Sequence, residues 1–364
     1  MELALRILAV AAGSVLIIAT IGSAVKTVIL PRAAYSFITR SAFLTVRGMF
    51  GWLARPSLPF QRRDRILALY GPLGLMATLA LWLTLTFVGF WGIFWGIEDA
   101  GWRHPFELSG SSLFTLGSST PVGIGVEMLG FVEAALGLFL LALLITYLPS
   151  VYGSFSRREL GVTALEIRAG SPPSGREMIW RYWVLERMHR LTDIWSEWER
   201  WFVDVEETHS SLPALVFFRS PQPDHSWVTA AGAVLDGASL LLSSVEVDRD
   251  VQAEFCIRAG YLCLRRIATY FKVPYPTDPG PDDPISISRT EWEQAIDSLA
   301  ADGVPIKADR EQAWRNFKGW RVNYDHVLLA LAAITTAPIA PWSSDRGLVS
   351  LRPTLFGGLK KGRA

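Results

Sequence analysis

Ser109-Gly-Ser-Ser-Leu-Phe-Thr-Leu-Gly-Ser-Ser-Thr-Pro-Val-Gly-Ile-Gly125 is an uncharged stretch, rich in hydroxyl groups and glycine, that lies between two long apolar runs. A segment that joins two membrane spans in water is normally polar and charged, so this stretch is not an ordinary connecting loop. Non-helical backbone inside a bilayer is tolerated only where it lines an aqueous cavity or is buried in protein. A short helix followed by a glycine-rich turn is a known way of presenting backbone carbonyls to an ion path. We therefore expect a re-entrant loop here; the alternative is a turn outside the membrane between two ordinary helices.

The composition indicates a membrane part followed by one soluble domain. Of the 364 residues, 50% are hydrophobic, and the excess is concentrated in three runs before residue 152. The net charge of +1 gives no sign of a nucleic-acid partner. Cys256 and Cys263 lie two helical turns apart, about 10 Å, which is too far for a disulfide. We interpret both as small core residues, because their spacing indicates neither a metal nor a redox site.

The first apolar run, Ile7 to Val25, is long enough to span a bilayer, so residues 1–30 are predicted to form a transmembrane helix. Residues 31–65 follow it with seven arginines and the single acid Asp64. By the positive-inside rule, this segment is cytoplasmic. A cleaved signal peptide is the alternative for the first run, but it would deliver the arginines to the outside.

The basic segment, residues 31–65, contains a predicted amphipathic helix. Four apolar side chains fall on one helical face: Phe43, Val46, Phe50 and Leu53. This pattern predicts a helix lying in the membrane interface, with Arg32, Arg40 and Arg47 binding lipid phosphates. The alternative is a solvated linker packed on the soluble domain.

Two further runs complete the membrane part, which we predict to be a pore domain over residues 66–156. The second run, Ile66 to Ile97, carries no charge, and the third, Met128 to Ser156, carries only Glu133. The segment between them is acidic, whereas arginines follow the third run. These charges predict a multi-pass protein of the plasma or inner membrane, with the N-terminus outside, three spans, a re-entrant loop at 106–125 and the C-terminal part inside.

Two short motifs in this region resemble those of a known channel family. Phe114-Thr-Leu-Gly117 resembles the end of a pore helix running into a filter, and Glu133-Ala-Ala-Leu-Gly137 resembles the acid and glycine of an inner helix. Residues 66–156 are thus similar to the two-transmembrane potassium-channel superfamily. The resemblance implies a homo-oligomer, by analogy a tetramer, that conducts ions between its subunits. It implies that Phe114, Glu133 and Gly137 support or gate the pore.

The filter departs from the family's pattern, since neither Gly-Tyr-Gly nor Gly-Phe-Gly occurs in it. Nine residues form the predicted filter: Thr115, Leu116, Gly117, Ser118, Ser119, Thr120, Pro121, Val122 and Gly123. Two registers are open, one starting at Thr115 and one formed by Val122-Gly-Ile-Gly125 behind Pro121. Proline fixes φ and lacks an N–H group, and serine lacks the access to positive φ that glycine has. We expect a filter that is weakly selective or not selective for potassium.

Glu133 and Gly137 have two interpretations each. An acid inside a span is a candidate functional residue. We expect Glu133 to accept a hydrogen bond from the back of the pore loop, at Ser111, Ser112 or Thr115, unless it reaches outer water. Gly137 either permits a helix bend or allows close packing of another helix.

Residues 157–364 are predicted to form an all-α cytoplasmic domain. Ser174 and Glu177 predict a capping box. An apolar stripe with 3–4 spacing predicts one helix through Val184, Met188, Leu191, Trp195, Trp198 and Phe202. Further helical patterns cover about 227–246, 249–272, 289–302 and 308–337, with a buried helix within 327–342. No nucleotide-binding fingerprint, metal-ligand spacing or catalytic arrangement stands out, so we predict no enzyme, no cofactor and no metal.

The predicted function is an oligomeric channel of the pore-loop class, gated through its cytoplasmic domain, with permeant ions and membrane lipids as its partners. The alternative is a non-conducting, membrane-anchored scaffold whose helical domain recruits a partner protein.

Overall fold

The computed structural model describes residues 2–30, 36–55, 57–98, 101–346, 351–353 and 359–361. The described chain is helical apart from one short hairpin. In chain order, its helices are α1 (Glu2–Ala24), α2 (Phe37–Leu53), α3 (Phe60–Ala68), α4 (Tyr70–Ile97), α5 (Arg103–Leu113), α6 (Ile124–Ala169), α7 (Gly175–Val184), α8 (Leu191–Ser211), α9 (Trp227–Ser244), α10 (Val251–Tyr270), α11 (Arg289–Ala301), α12 (Arg310–Arg321) and α13 (Asp325–Thr335). A π-helical turn covers Val25–Ile29, and 3₁₀ turns cover Met188–Arg190 and Pro213–Phe217. Strands β1 (Leu351–Pro353) and β2 (Leu359–Lys361) pair antiparallel.

The chain divides into two compact units. The first unit comprises Met1–Arg55 and Leu69–Gly153, and the second comprises Pro56–Ala68 and Ser154–Ala364. Helix α6 therefore contributes its first part to one unit and its last part to the other. The two units are described separately below.

In the first unit, α1 packs antiparallel along α4 with very close backbone contact. A Cβ added to Gly13 would lie 2.3 Å from the carbonyl oxygen of Gly89, and one added to Gly96 would lie 2.7 Å from that of Arg6. At the other end of the contact, Trp82 Nε1 donates a 3.0 Å hydrogen bond to Ser23 Oγ. Small residues permit this approach, as is common between membrane helices.

Helix α2 also packs on α4, which corrects the predicted interfacial face. Val46 and Phe50 are buried, and the ring of Phe43 meets that of Tyr70 edge-on at 6.0 Å. Gly74 makes room for this ring, since a Cβ there would lie 2.5 Å from it. The part of the stripe from Phe43 to Phe50 is therefore covered mostly by protein, whereas Leu53, its last member, is exposed. Three apolar side chains of α2 outside the stripe are exposed as well: Phe37, Met49 and Trp52.

The second unit is built around α9. This helix is long and apolar enough to cross a membrane, but 94% of its residues are buried inside the protein. Helices α7, α10, α12 and α13 contact it, and α8 packs on α10. The buried residues Cys256 and Cys263 belong to this core, and α13 is buried as expected for the 327–342 pattern. Because its apolar surface is covered by neighbouring helices, α9 is a core helix of this unit.

The predicted helix from Val184 to Phe202 is broken in the structure. Helix α7 ends at Val184, Glu186 takes a φ of 55°, and α8 begins only at Leu191. The break turns Val184 out to an exposed position, whereas Leu191 and Phe202 stay in the core. The apolar residues of two separate helices therefore happen to keep the 3–4 spacing that a single continuous helix would show.

The capping box expected at Ser174 and Glu177 was wrong. In the described part of the chain, the Ser174 side chain makes no capping hydrogen bond, although α7 does begin at the next residue. Close packing accompanies this start, since a Cβ on Gly175 would lie 2.4 Å from the amide nitrogen of Gly237 in α9. A reciprocal capping box forms instead at Ser288 and Glu291, ahead of α11.

Two buried arginines organise the polar interior of the second unit. Arg321 is fully buried and donates to Asp236, to Asp325 Oδ1 (2.7 Å) and to the carbonyl of Trp342 (2.6 Å). Arg158 donates to His209 Nε2 (3.1 Å) and to two carbonyls. Burial, reinforced by the charge of Arg158, holds the pKa of His209 well below its usual value. A lone pair of neutral histidine therefore receives the arginine N–H.

Candidate pore loop

Helix α5 runs back between α4 and α6 in the first unit. Ser109, in the middle of α5, donates from Oγ to Glu133 Oε1 at 2.6 Å, and the same oxygen lies 3.1 Å from the carbonyl of Phe87. Phe87 precedes the end of α4 by ten residues, and Glu133 follows the start of α6 by nine. At 1.5 Å per residue, Ser109 lies about 14 Å from the adjoining ends of both long helices.

Glu133 is 0% exposed, which excludes the interpretation that it reaches outer water. Its partner is Ser109 and none of the three predicted residues. Ser111 turns toward the loop instead, where its Oγ accepts from the amides of Ser118 (2.9 Å) and Ser119 (3.2 Å). The second carboxylate oxygen, Oε2, is buried with no hydrogen-bond partner among the described residues. The acid therefore acts as a buried anchor for α5.

Gly137 allows α5 to pack closely on α6. A Cβ on Gly137 would lie 2.7 Å from the carbonyl oxygen of Leu113, the last residue of α5. Seven residues earlier on α6, about two helical turns, a Cβ on Gly130 would lie 3.0 Å from Ser112 Oγ. The two glycines form a shallow groove that receives the end of α5, and α6 continues helically past both. Of the two roles considered for Gly137, the contact geometry favours packing.

The loop after α5 begins with a tight helix end. Leu116 donates its amide to the carbonyl of Ser111 (2.8 Å), and Thr115 donates to that of Ser112 (3.1 Å). This pair of bonds is a Schellman motif with Thr115 at the left-handed position, where its φ is 54°. Gly117 also has a positive φ of 66°. In the first register, Thr115 and Leu116 therefore close the end of α5. They do not begin an extended segment that could present a ladder of carbonyls.

The second register, Val122 to Gly125, does not form an extended filter. Ile124 and Gly125 are already the first residues of α6, and Gly123 ahead of them has a φ of 92°. Helix α6 starts four residues earlier than the apolar run from Met128 predicted. The non-helical part of the loop is thus 114–123, with the hydroxyl run 118–120 at its centre.

The loop presents uncharged side chains outward. Most of its residues are exposed in this chain, including four large apolar side chains at the loop and the first turn of α6: Phe114, Leu116, Val122 and Ile124. Ser118 and Thr120 are exposed as well, whereas Ser119 and Pro121 are half-buried. An exposed surface of this kind, adjoining two apolar helices, is suited to burial against other chains or to lining a path.

Aromatic contacts hold the start of α5 against α4. The ring of Phe106 meets Phe87 edge-on at 5.1 Å and Trp91 at 5.6 Å. Trp91 Nε1 donates to the carbonyl of Trp102 at 3.2 Å, and His104 Nδ1 lies 2.8 Å from Glu98 Oε2. These contacts set where the chain turns back after α4.

The arginines predicted to bind lipid do not join the loop. Arg40 and Arg47 lie on α2, half-buried, and α2 packs on the opposite end of α4. Arg32 lies outside the described residues. Ser109 was predicted to belong to the loop but not to be the partner of Glu133, and Gly130 was not predicted from the sequence. A signal existed for Gly130, which precedes Gly137 by seven residues, a spacing that puts both glycines on the same face of α6.

Comparisons with known proteins place the chain in a broad class. No family model matches it, and no solved structure matches it. The uncharacterized membrane protein YdjJ of Bacillus subtilis (strain 168) is 27% identical over 188 residues, which cover 48% of this chain and 53% of that protein. The chain thus spans about half the length of the curated relative it matches. Within the described residues, no three or more His, Cys, Asp or Glu side chains are grouped to hold a metal ion. With its long apolar helices, the chain is a multi-pass, largely helical membrane protein.

Proposed function

We propose that the chain is one subunit of an oligomeric ion channel of the potassium-channel-like pore-loop class. In this proposal α1, α4 and α6 are the three spans, and α5 with residues 114–123 is the re-entrant element. The observation that carries it is the return of α5 between two spans to a buried bond between Ser109 and Glu133. That bond lies about 14 Å from the adjoining helix ends, about half the thickness of a hydrocarbon core.

Several copies are needed to enclose a path, because one re-entrant loop cannot surround an ion. Closed rotational symmetry is the usual arrangement, and the family resemblance favours four copies. The exposed apolar side chains Leu116, Val122 and Ile124 support the proposal, since neighbouring subunits would cover them. The non-conducting scaffold shares this oligomeric architecture, but it passes no ions and its helical domain recruits a partner protein.

The permeant species in this proposal is a small monovalent cation, with weak discrimination between K⁺ and Na⁺. Carbonyl and hydroxyl oxygens favour cations, and 114–123 carries no charged side chain. A rigid four-site carbonyl ladder is unsupported, because Thr115 to Gly117 is taken up by a helix terminus and Pro121 follows the hydroxyl run. Hydroxyl ligands at Ser118 to Thr120 form a looser and wetter ring.

The arginines of 31–65 favour an orientation with the N-terminus outside and the second unit in the cytoplasm. Arg32, Arg40 and Arg47 then lie on the side of the anionic leaflet, where basic side chains gain affinity for lipid phosphates. The second unit has its own core and is continuous with the last part of α6, so it is the part through which gating would act.

Flux through liposomes containing the purified oligomer tests the proposal. Na⁺ and K⁺ should both permeate, within about tenfold of one another, whereas Cl⁻ should not. A sample that is oligomeric and yet passes none of these ions under any gradient would leave the scaffold as the function.

Cysteine accessibility locates the path. The native Cys256 and Cys263 are buried, so they give a quiet background. In the variant Ser118→Cys, a water-soluble cationic methanethiosulfonate reagent should block the flux. Thr84→Cys, at an exposed position on the apolar helix α4, is the matched control and should remain unblocked. Equal insensitivity of both variants would place the path away from the loop.

A further inference from the structure

A cleft of about 610 Å³ opens in the second unit, where the end of α9 meets the segment before α10, the loop around Pro281 and helix α12. Small-molecule sites commonly have about 300–1,000 Å³. Five separate parts of the chain line this cleft, and the candidate pore loop contributes no residue to it. The cleft is therefore a separate candidate site from the pore loop.

One side of the cleft is apolar. Leu241 and Leu242, at the end of α9, and the half-buried indole of Trp320, on α12, supply this wall. An indole face at the edge of a cleft is suited to stacking on a planar ring, because aromatic stacking tolerates any ring with a π-face.

The other side supplies hydrogen-bond donors. Lys307 Nζ donates to the carbonyl of Leu242 at 2.8 Å, which leaves two further N–H groups on the ammonium. The Arg315 side chain is 65% exposed and forms a long ion pair with Glu311, 3.6 Å from Nε to the carboxylate oxygen, which leaves its N–H groups able to donate to a ligand. Asn316 lines the cleft beside it. These groups are arranged to bind a ligand rich in acceptor atoms.

The charges of the lining select an anion. Arg249 and Glu254 neutralise each other through hydrogen bonds of 2.7 and 2.9 Å. Among the remaining lining residues, Lys307 and Arg315 provide two cations against the single carboxylate of Asp248. Glu311, which pairs with Arg315 from outside the lining, is itself bonded to Arg289. An anionic group is thus favoured near the two cations, and Asp248 is placed to accept hydrogen bonds from hydroxyl groups of the same ligand.

We propose that this cleft binds a mononucleotide, that is, a phosphate ester of a ribose that carries a planar base. The phosphate accepts charge-assisted hydrogen bonds from Lys307 and Arg315. Asp248 accepts hydrogen bonds from the ribose hydroxyls, as carboxylates do in other nucleotide sites. The base lies against Trp320. Each part of such a ligand meets a matching part of the cleft, and the inference does not depend on ion conduction.

Binding of AMP to the full-length protein in nanodiscs, measured by equilibrium dialysis, tests the proposal. AMP should bind saturably. Adenosine lacks the anion and inorganic phosphate lacks the ring, so each should bind at least about tenfold more weakly than AMP. Added salt should weaken AMP binding more than adenosine binding. The proposal is overturned if AMP does not saturate at millimolar concentration, or if adenosine binds as tightly as AMP.

A matched pair of variants tests the site itself. Arg315→Ala should weaken AMP binding at least about tenfold and leave the thermal midpoint unchanged, because the side chain is mostly exposed. Arg190→Ala removes an arginine that is 63% exposed and does not line the cleft, so it should bind AMP like the wild type. AMP binding that is equal in all three proteins refutes the assignment.

Discussion

Replacing Gly137 with alanine should loosen the contact between α5 and α6. The added Cβ would lie 2.7 Å from the Leu113 carbonyl oxygen and 3.0 Å from Leu113 Cδ1, both closer than ordinary contacts. Forcing a methyl group into such a site costs about 1–3 kcal/mol. Alanine returns up to about 1 kcal/mol through its higher helix propensity. We therefore expect a net loss of about 1–2 kcal/mol in the free energy of unfolding and, under the proposed function, altered ion flux.

The assay is unfolding of the purified protein in mixed detergent micelles, followed by tryptophan fluorescence. Gly125→Ala is the control, because it changes the same residue type in the same helix, and a Cβ there would meet nothing within 4 Å. It should be neutral or slightly stabilising. If Gly137→Ala is as stable as Gly125→Ala, the packing of α5 against α6 does not have the closeness derived above.

Three other perturbations have expected outcomes. Glu133→Ala should destabilise the protein by about 0.5–1.5 kcal/mol, because it removes the 2.6 Å hydrogen bond and leaves the Ser109 hydroxyl only the Phe87 carbonyl at 3.1 Å, whereas Glu133→Gln retains the acceptor and should lose clearly less in the same micelle assay. Arg321→Leu should cost about 3–5 kcal/mol in the second unit, measured by urea unfolding, because two aspartates then remain buried beside an apolar side chain; a loss under 1 kcal/mol would contradict this. Because burial lowers the pKa of His209 in the folded protein, its imidazole should not reduce the free energy of unfolding above about pH 6.5. Below that pH only the unfolded state protonates this histidine, so the free energy of unfolding should fall by about 1.4 kcal/mol per pH unit. His209→Gln keeps an acceptor for Arg158 and should remove that slope, whereas exposed His189→Gln should keep it.

Apolar length and periodicity were sufficient to predict most helices. The long apolar helices α1, α4 and α6, the buried helix α13 and the helical regions near 227, 249 and 289 were all predicted from their apolar runs and periodicity. Helix ends were less predictable. Helix α6 begins at Ile124 because Gly123 takes a positive φ there, and α7 stops at Val184 although the apolar spacing continues. The spacing of apolar residues does not reveal a turn when the residues on both sides of that turn keep the same spacing.

The candidate site was predicted as a region and not as a set of contacts. The sequence placed an uncharged loop between two spans, with an acid and a glycine on the following helix. It could not choose among the hydroxyl groups of α5, because a shift of one residue rotates a helical side chain by about 100°. Ser109 faces Glu133, whereas Ser111, two residues later, caps the loop amides. The rotation and depth of α5 are set by its contacts with two other helices.

The sequence by itself determined that this chain has apolar membrane helices, a helical second unit and an uncharged loop between two of the long apolar helices, because composition and charge act locally and need no partner. Only the tertiary structure decided that α2 turns its apolar face to α4, that α9 is a core helix, and that Glu133 and Gly137 hold α5 in place. These outcomes depend on which surfaces meet. Burial and close packing depend on both helices of a contact, so the sequence of one helix does not show which of its faces will be covered.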